Sequence, residues 1–233
     1  MLTEQNVVTI YNNLLIDTDC PQPIDWMDCN FKINLIMKKH GNPGSISKKE
    51  FEYLENYITR HNYKRGYELA TAFGISALAA GLGFKQTNGR LISVDAYIEE
   101  HYGCATKYQD KCEIYTNADG YKVANYLAKK FNIENHVSFH YGWSPRDIPE
   151  ILSRELNGDK LDYVFIDAQH YDDCVIADID VVIPYLATNF TLFFHDVHCF
   201  TSKFTDFLLG KFNKTYEIVV HRDQGYNLSK LEI

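Results

Sequence analysis

Short apolar runs alternating with helix-length segments constrain this chain more than any other feature. The runs are GYELA at 66–70, LISVD at 91–95, VSFHY at 137–141, LDYVFID at 161–167 and FTLFFHD at 190–196. Strands separated by such segments return to the sheet in the same direction, so the rhythm is βαβ and the sheet is parallel. A helical pattern follows Gly74, and Ala124, Leu127, Ala128 and Phe131 recur at offsets of three and four, laying one face of a helix from Tyr121 to Phe131 on the sheet. Upstream, Ser47 and Glu50 form a capping box, and Phe51, Leu54 and Ile58 continue at helical spacing, predicting a helix to about Arg60. At the other end, TYEIVVHR, a polar Asp223-Gln224-Gly225 turn and YNLSKLEI have hairpin spacing, which predicts an antiparallel edge. The predicted architecture is α/β, a doubly wound, mostly parallel sheet with an antiparallel C-terminal hairpin strand. A cap segment at 1–44, ended by Pro43-Gly44, precedes the main domain at 45–233.

A chain of 233 residues, 45% of them hydrophobic, is long enough for one sizeable core and short for two. Its 31 acidic and 23 basic residues give a net charge of −8, which repels phosphate backbones and argues against nucleic acid as the main partner. Six cysteines (Cys20, Cys29, Cys104, Cys112, Cys174 and Cys199) form no C-x-x-C pair, so they make neither a zinc ribbon nor a disulfide framework. No segment approaches the roughly 20 apolar residues of a membrane span. The N-terminus lacks a basic start followed by an apolar run, so the expectation is a cytoplasmic protein without membrane attachment. The aromatic N-terminal segment offers a surface through which subunits could pair as a homo-oligomer.

In an open α/β sheet, ligands bind beyond the carboxyl ends of the strands, at the switch in strand order. After the first strand, Glu68 leads to Ala70, Gly74 and Ser76, where small residues let a ligand approach the backbone and Gly74 opens a helix. The second strand ends in Asp95, which is placed to take the hydroxyls of a ribose or, alternatively, to cap a helix. After the third come Gly142, Trp143 and Ser144; they offer close approach, a stacking face and a hydroxyl, or else Trp143 is core and Ser144 caps a helix at Arg146. The fourth and fifth end in Asp167 and Asp196. Two carboxylates at one sheet edge either hold a hard divalent cation or repel each other. His170, on the loop after Asp167, has the intrinsic pKa of a general base, a satisfied loop histidine being the alternative.

With these pieces in order, the sequence resembles the class I, Rossmann-like S-adenosylmethionine-dependent methyltransferases from about Ser47 onward. Within them it is similar to the metal-dependent small-molecule O-methyltransferases typified by catechol O-methyltransferase. The family's first strand reads E-x-G-x-x-x-G-x-S, and Glu68, Gly74 and Ser76 keep that spacing while Ala70 replaces the first glycine. The resemblance implies S-adenosylmethionine as cofactor, with Asp95 on the ribose and Gly142, Trp143 and Ser144 on the adenine side. It also implies Asp167 beside both cofactor and metal, and Mg²⁺ between Asp167 and Asp196. His170 stands where catechol enzymes carry a lysine, and the D-x-x-H pattern looks like that of macrolide-sugar O-methyltransferases, whose histidine is the base. Val197 departs from the family by replacing an asparagine ligand, leaving His195, His198 or water to complete a metal shell. A longer link at about 96–116, with Tyr97, His101, Tyr102, Tyr108 and Tyr115, is expected to shape the substrate pocket or to pack on the cap.

The implied activity is methylation of a small hydroxylated acceptor. A non-catalytic binding protein on the same fold is the alternative, because Ala70 and Ala72 could narrow the cofactor cleft. A nicotinamide dehydrogenase would want G-x-G-x-x-G. A hydrolase built on His195-Asp196-x-His198 lacks further ligands, and Asp-Ala-Gln-His after the fourth strand is not the aromatic-proline tetrapeptide of base methyltransferases.

Overall fold

The computed structural model describes residues 46–72, 74–96, 120–221 and 227–233. The expected cap at 1–44, nearly all of the 96–116 segment with its tyrosines and His101, and the Asp223-Gln224-Gly225 turn lie outside the described residues.

The described elements are α1 (Lys48–His61), β1 (Arg65–Leu69), α2 (Ile75–Thr87), β2 (Arg90–Asp95), α3 (Gly120–Lys130), β3 (Val137–Tyr141) and α4 (Ile148–Leu156). They continue as β4 (Leu161–Ile166), α5 (Asp172–Val182), β5 (Leu186–Phe194), α6 (Ser202–Phe212), β6 (Glu217–Val220) and β7 (Leu228–Glu232). The sheet has seven strands in the order β3-β2-β1-β4-β5-β7-β6. β1 pairs in parallel with both β2 and β4, and β7 inserts antiparallel between β5 and β6. The expected antiparallel edge is present, with β7 rather than β6 against β5.

Alternation along the strands sends neighbouring side chains to opposite faces. Leu91, Tyr163, Phe165 and Phe193 pack with α1, α2 and α3. Tyr67, Ile92, Val164, Leu192 and Phe194 pack with α4, α5 and α6. Phe51, Leu54 and Ile58 of α1 are almost fully buried, and each contributes on the order of 1.5–3 kcal/mol by leaving water. The capping box forms as expected, Ser47 accepting from Glu50 N while the Glu50 carboxylate accepts from Ser47 N. Close crossing of α1 and α2 depends on Gly83, where an added Cβ would lie 2.9 Å from both Glu55 O and Ile58 Cβ. Four helices end on an asparagine in the left-handed region, at Asn62, Asn88, Asn157 and Asn213. Among the described residues no helix is long and apolar enough to cross a membrane.

Candidate active site

Because β1 lies between β2 and β4, the strand order reverses beside it, and three loops meet at the carboxyl edge there. The loop after β1 is bent by left-handed residues at Ala70 (φ 75°), Ala72 (φ 48°) and Gly74 (φ 83°). The two alanines adopt this conformation at a steric cost that glycine would avoid. At Gly74 an added Cβ would meet Ala124 of α3 at 2.8 Å, so packing and backbone conformation both require the glycine. The loop is anchored by Ala70 N to Val94 O at 2.9 Å and by Ala72 N to Asp95 Oδ2 at 2.8 Å. One Asp95 oxygen thus fastens the β1 loop to the end of β2, a role that sequence reasoning did not assign. Glu68 is buried beneath the loop and accepts from Ser93 Oγ, which also meets Thr71 Oγ1 at 2.6 Å. Burial pushes the Glu68 carboxyl up to about 7 against hydrogen bonds from Ser76 and Ser93. Glu68 and Ser76 therefore support the loop from below.

Beyond β3, Gly142 N donates to Asp95 O at 3.0 Å, joining this loop to the end of β2. The space around Gly142 is filled by protein, since a Cβ would meet Ile151 Cδ1 at 2.7 Å and Val94 Cγ1 at 3.1 Å. Trp143 is 44% exposed, which rules out the core alternative and leaves a ring face accessible. The Trp143 backbone N–H donates to Asp147 Oδ2 at 2.8 Å. Ser144 caps no helix at Arg146; α4 begins at Ile148, and the Ser144 hydroxyl donates to the buried carboxylate of Asp178 on α5. Burial raises that carboxyl to about 6, with the Ser144 bond opposing.

The third group brings the expected Asp167, His170 and Asp196 together, each offering one ligand atom, all within 4.8 Å of one another. Asp167 N donates to Leu69 O at 3.3 Å, which sets it against the β1 loop, and Asp196 is held at φ 57°, a left-handed conformation that Asp tolerates. His170 Nε2 lies 3.7 Å from Asp167 Oδ1 and 3.4 Å from Asp196 Oδ2. The sequence left two outcomes for these carboxylates, a cation or repulsion, and the structure adds a third. His195 turns Nδ1 between them, 3.3 Å from Asp167 Oδ1 and 3.1 Å from Asp196 Oδ1, while its Nε2 lies 3.2 Å from Glu50 Oε1.

Burial opposes charge on His195, but Asp167, Asp196 and Glu50 outweigh it and push the ring up to about 12. Against the cost of its own burial, Asp167 is held down at about 2 by His195 and His170. The Asp167 hydrogen bond raises the pKa of His170, against partial burial of the ring. Val197 is 4% exposed and aliphatic, so it offers no donor where the resemblance expects asparagine. The donor chemistry suits a divalent cation through Asp167 and Asp196. Sequence reasoning missed Glu50 and Asp178 as site residues and named His195 only as a possible completing ligand.

The family described as "Methyltransferase domain" matches residues 68–197, more than half of the chain. No curated protein sequence matches significantly. Among solved structures, the chain is similar to the O-methyltransferase from Bacillus cereus in complex with SAH, at 13% identity and a TM-score of 0.59 over 95% of each chain. It is similar to the O-methyltransferase TomG from Streptomyces achromogenes, involved in tomaymycin synthesis and in complex with SAM, at 14% identity and a TM-score of 0.62 over 98% of this chain and 97% of that one. SAH-bound methyltransferase PaMTH1 from Podospora anserina gives 10% identity and a TM-score of 0.57 over 99% and 96%. At such identities these likenesses establish the fold, a class I methyltransferase sheet. With the family match running from the end of β1 through β5, the chain belongs to the methyltransferase-domain family.

Proposed function

We propose that this chain is an S-adenosylmethionine-dependent O-methyltransferase acting on a small hydroxylated acceptor, with His170 as general base. The observation that carries this reading is the convergence of Asp167, His170 and Asp196 at the switch point, directly beside the left-handed β1 loop. The methyl donor is a sulfonium and already a strong electrophile, so the chain has to align an in-line displacement, exclude water and remove one proton. In this reading Trp143 stacks on the adenine, Asp95 holds the ribose, and the loop from Ala70 to Gly74 borders the methionine part. As the oxygen–carbon bond forms and the sulfur–carbon bond breaks, its electron pair leaving with sulfur, the His170 imidazole takes the hydroxyl proton. Asp167 strengthens His170 as a base by favouring its protonated form. A divalent cation such as Mg²⁺, when held by Asp167 and Asp196, would lower the pKa of the acceptor hydroxyl. Residence in the cytoplasm belongs to the same reading and is supported by Cys174 and Cys199, which are free thiols.

The test is calorimetric titration with S-adenosylhomocysteine, followed by labelled-methyl transfer to a panel of catechols, sugar diols and other small alcohols. Micromolar binding that is lost in Asp95→Ala, together with methyl transfer to oxygen, supports the reading. No binding to the wild-type chain overturns it in favour of a non-catalytic protein, whose cleft the Ala70 and Ala72 methyl groups would narrow.

A further inference from the structure

Val197 leaves the resemblance one protein ligand short, and the structure offers another on the other side of Asp196. His195 is 4% exposed and is aimed by contacts at both ring nitrogens. On one side Glu50, itself 0% exposed, lies 3.2 Å from Nε2. On the other, Nδ1 faces the Asp167 and Asp196 carboxylates at 3.3 and 3.1 Å.

A buried carboxylate on the far nitrogen of a histidine whose near nitrogen faces two acids is the arrangement that orients metal-binding imidazoles. The spacing agrees. Ligand atoms about 2.1 Å from one ion are separated by roughly 3.0 Å at a right angle and roughly 3.4 Å at a tetrahedral angle. Both His195 separations fall in that interval. His170, half-exposed at 3.4 and 3.7 Å from the same acids, stays at the rim, where a proton acceptor is needed.

We infer that His195 Nδ1, giving up its proton to solvent as the ion enters, is the third protein ligand of the site, with Glu50 as its orienting residue. We infer further that the nitrogen donor selects a first-row transition ion of the Fe²⁺, Co²⁺ or Zn²⁺ class over Mg²⁺. Hard Mg²⁺ keeps oxygen ligands and water, whereas imidazole favours the later divalent ions. The inference deepens the proposed function, yet its evidence is metal binding, measured without turnover.

The probe is Co²⁺, titrated into full-length protein stripped with chelator, with Mg²⁺ as competitor. Visible d–d bands report occupancy, and a hyperfine-shifted exchangeable imidazole N–H proton reports ligation. The expected result is one Co²⁺ per chain, displaced by Mg²⁺ only at a tenfold or greater excess, with the shifted proton present in wild type and in His170→Ala. His195→Ala should lose that proton, and Glu50→Gln should bind Co²⁺ about 10–100-fold more weakly.

Equal affinity for Mg²⁺, absence of the shifted proton in wild type, or its persistence in folded His195→Ala would each overturn the inference. The wild-type measurements decide even if a variant fails to fold. Failure to bind Co²⁺ while S-adenosylhomocysteine still binds sinks this inference alone; the reverse sinks the methyltransferase reading alone.

Discussion

Ser144, on the loop after β3, donates its hydroxyl to the buried carboxylate of Asp178 on α5. The loop that carries Trp143 is thereby fastened to α5. Asp178→Ala leaves the Ser144 hydroxyl without its acceptor and should cost about 1–3 kcal/mol of stability. It should also weaken S-adenosylhomocysteine binding several-fold, whereas Asp178→Asn, which retains a carbonyl acceptor, should keep most of both. Urea denaturation and calorimetry measure the two effects, and wild-type affinity in Asp178→Ala would show that the loop does not need this support.

Trp143 presents an accessible ring at 44% exposure. Trp143→Ala should therefore change stability by less than about 0.5 kcal/mol, as exposed positions do. A stacked adenine should nonetheless lose about 0.5–1.5 kcal/mol, roughly two- to twelvefold in affinity. Quenching of the Trp143 fluorescence on titration with S-adenosylhomocysteine provides an independent reading.

His170→Ala should lower turnover by about 10²–10⁴-fold, the usual range for a positioned proton acceptor. Affinity for S-adenosylhomocysteine should change little if, as proposed, the ring beside Asp167 and Asp196 serves the acceptor and not the cofactor. Single-turnover kinetics alongside calorimetry separate the two. Full activity in the variant would remove His170 from the mechanism.

Glu68 carries a pH signature. Its carboxyl rises from 4.5 to about 7 on burial, so between these values the folded chain binds a proton that the unfolded chain has lost. Stability from this group is complete below pH 4.5 and declines as pH rises to about 7. The decline amounts to a contribution on the order of 3 kcal/mol. Glu68→Gln cannot ionise, so its stability difference from wild type should grow in the variant's favour across that window and level off above it. Denaturant titrations of both proteins from pH 4.5 to 8 test this; a pH-independent difference would mean that Glu68 does not titrate there.

Ala70 and Ala72 hold left-handed conformations with a Cβ attached. A left-handed alanine costs roughly 1–2 kcal/mol, and glycine recovers that while adding roughly 0.5–1 kcal/mol of unfolded-state entropy. Ala70→Gly should therefore be stabilising by about 0.5–1 kcal/mol, and Ala70→Val, which is β-branched, should be clearly destabilising. Midpoints of thermal and urea unfolding would show the order Gly, Ala, Val.

Strands and their carboxyl-end residues were legible because strands buried on both faces are written locally as continuous apolar runs, and Asp95, Asp167 and Asp196 stand at or immediately beyond the ends of those runs. Glu50 was legible only in part. The capping box explains one carboxylate oxygen, which accepts from Ser47 N, while the partner of the other lies 145 positions away, and no local pattern records that. Asp178 sits inside an ordinary helical run, so its acceptor role depends on where α5 lands against the β3 loop. The alternative of a helix at Arg146 capped by Ser144 is not realised: α4 begins at Ile148, and Asp147 turns its carboxylate back to Trp143 N. Helix ends marked by Asn62, Asn88, Asn157 and Asn213 carry a readable signal, asparagine standing where glycine is the more familiar stop.

Glu50 lies outside the 68–197 segment shared with the methyltransferase-domain family, yet it faces His195 inside it. Grafting that segment into a relative would carry over both aspartates and the imidazole, while the host's own first helix would supply whatever stands behind the ring. The properties of the carboxylate–imidazole cluster in such a chimera are then inherited from two parents, and choosing hosts by the residue opposite His195 becomes a means of retuning it without altering Asp167, His170, His195 or Asp196.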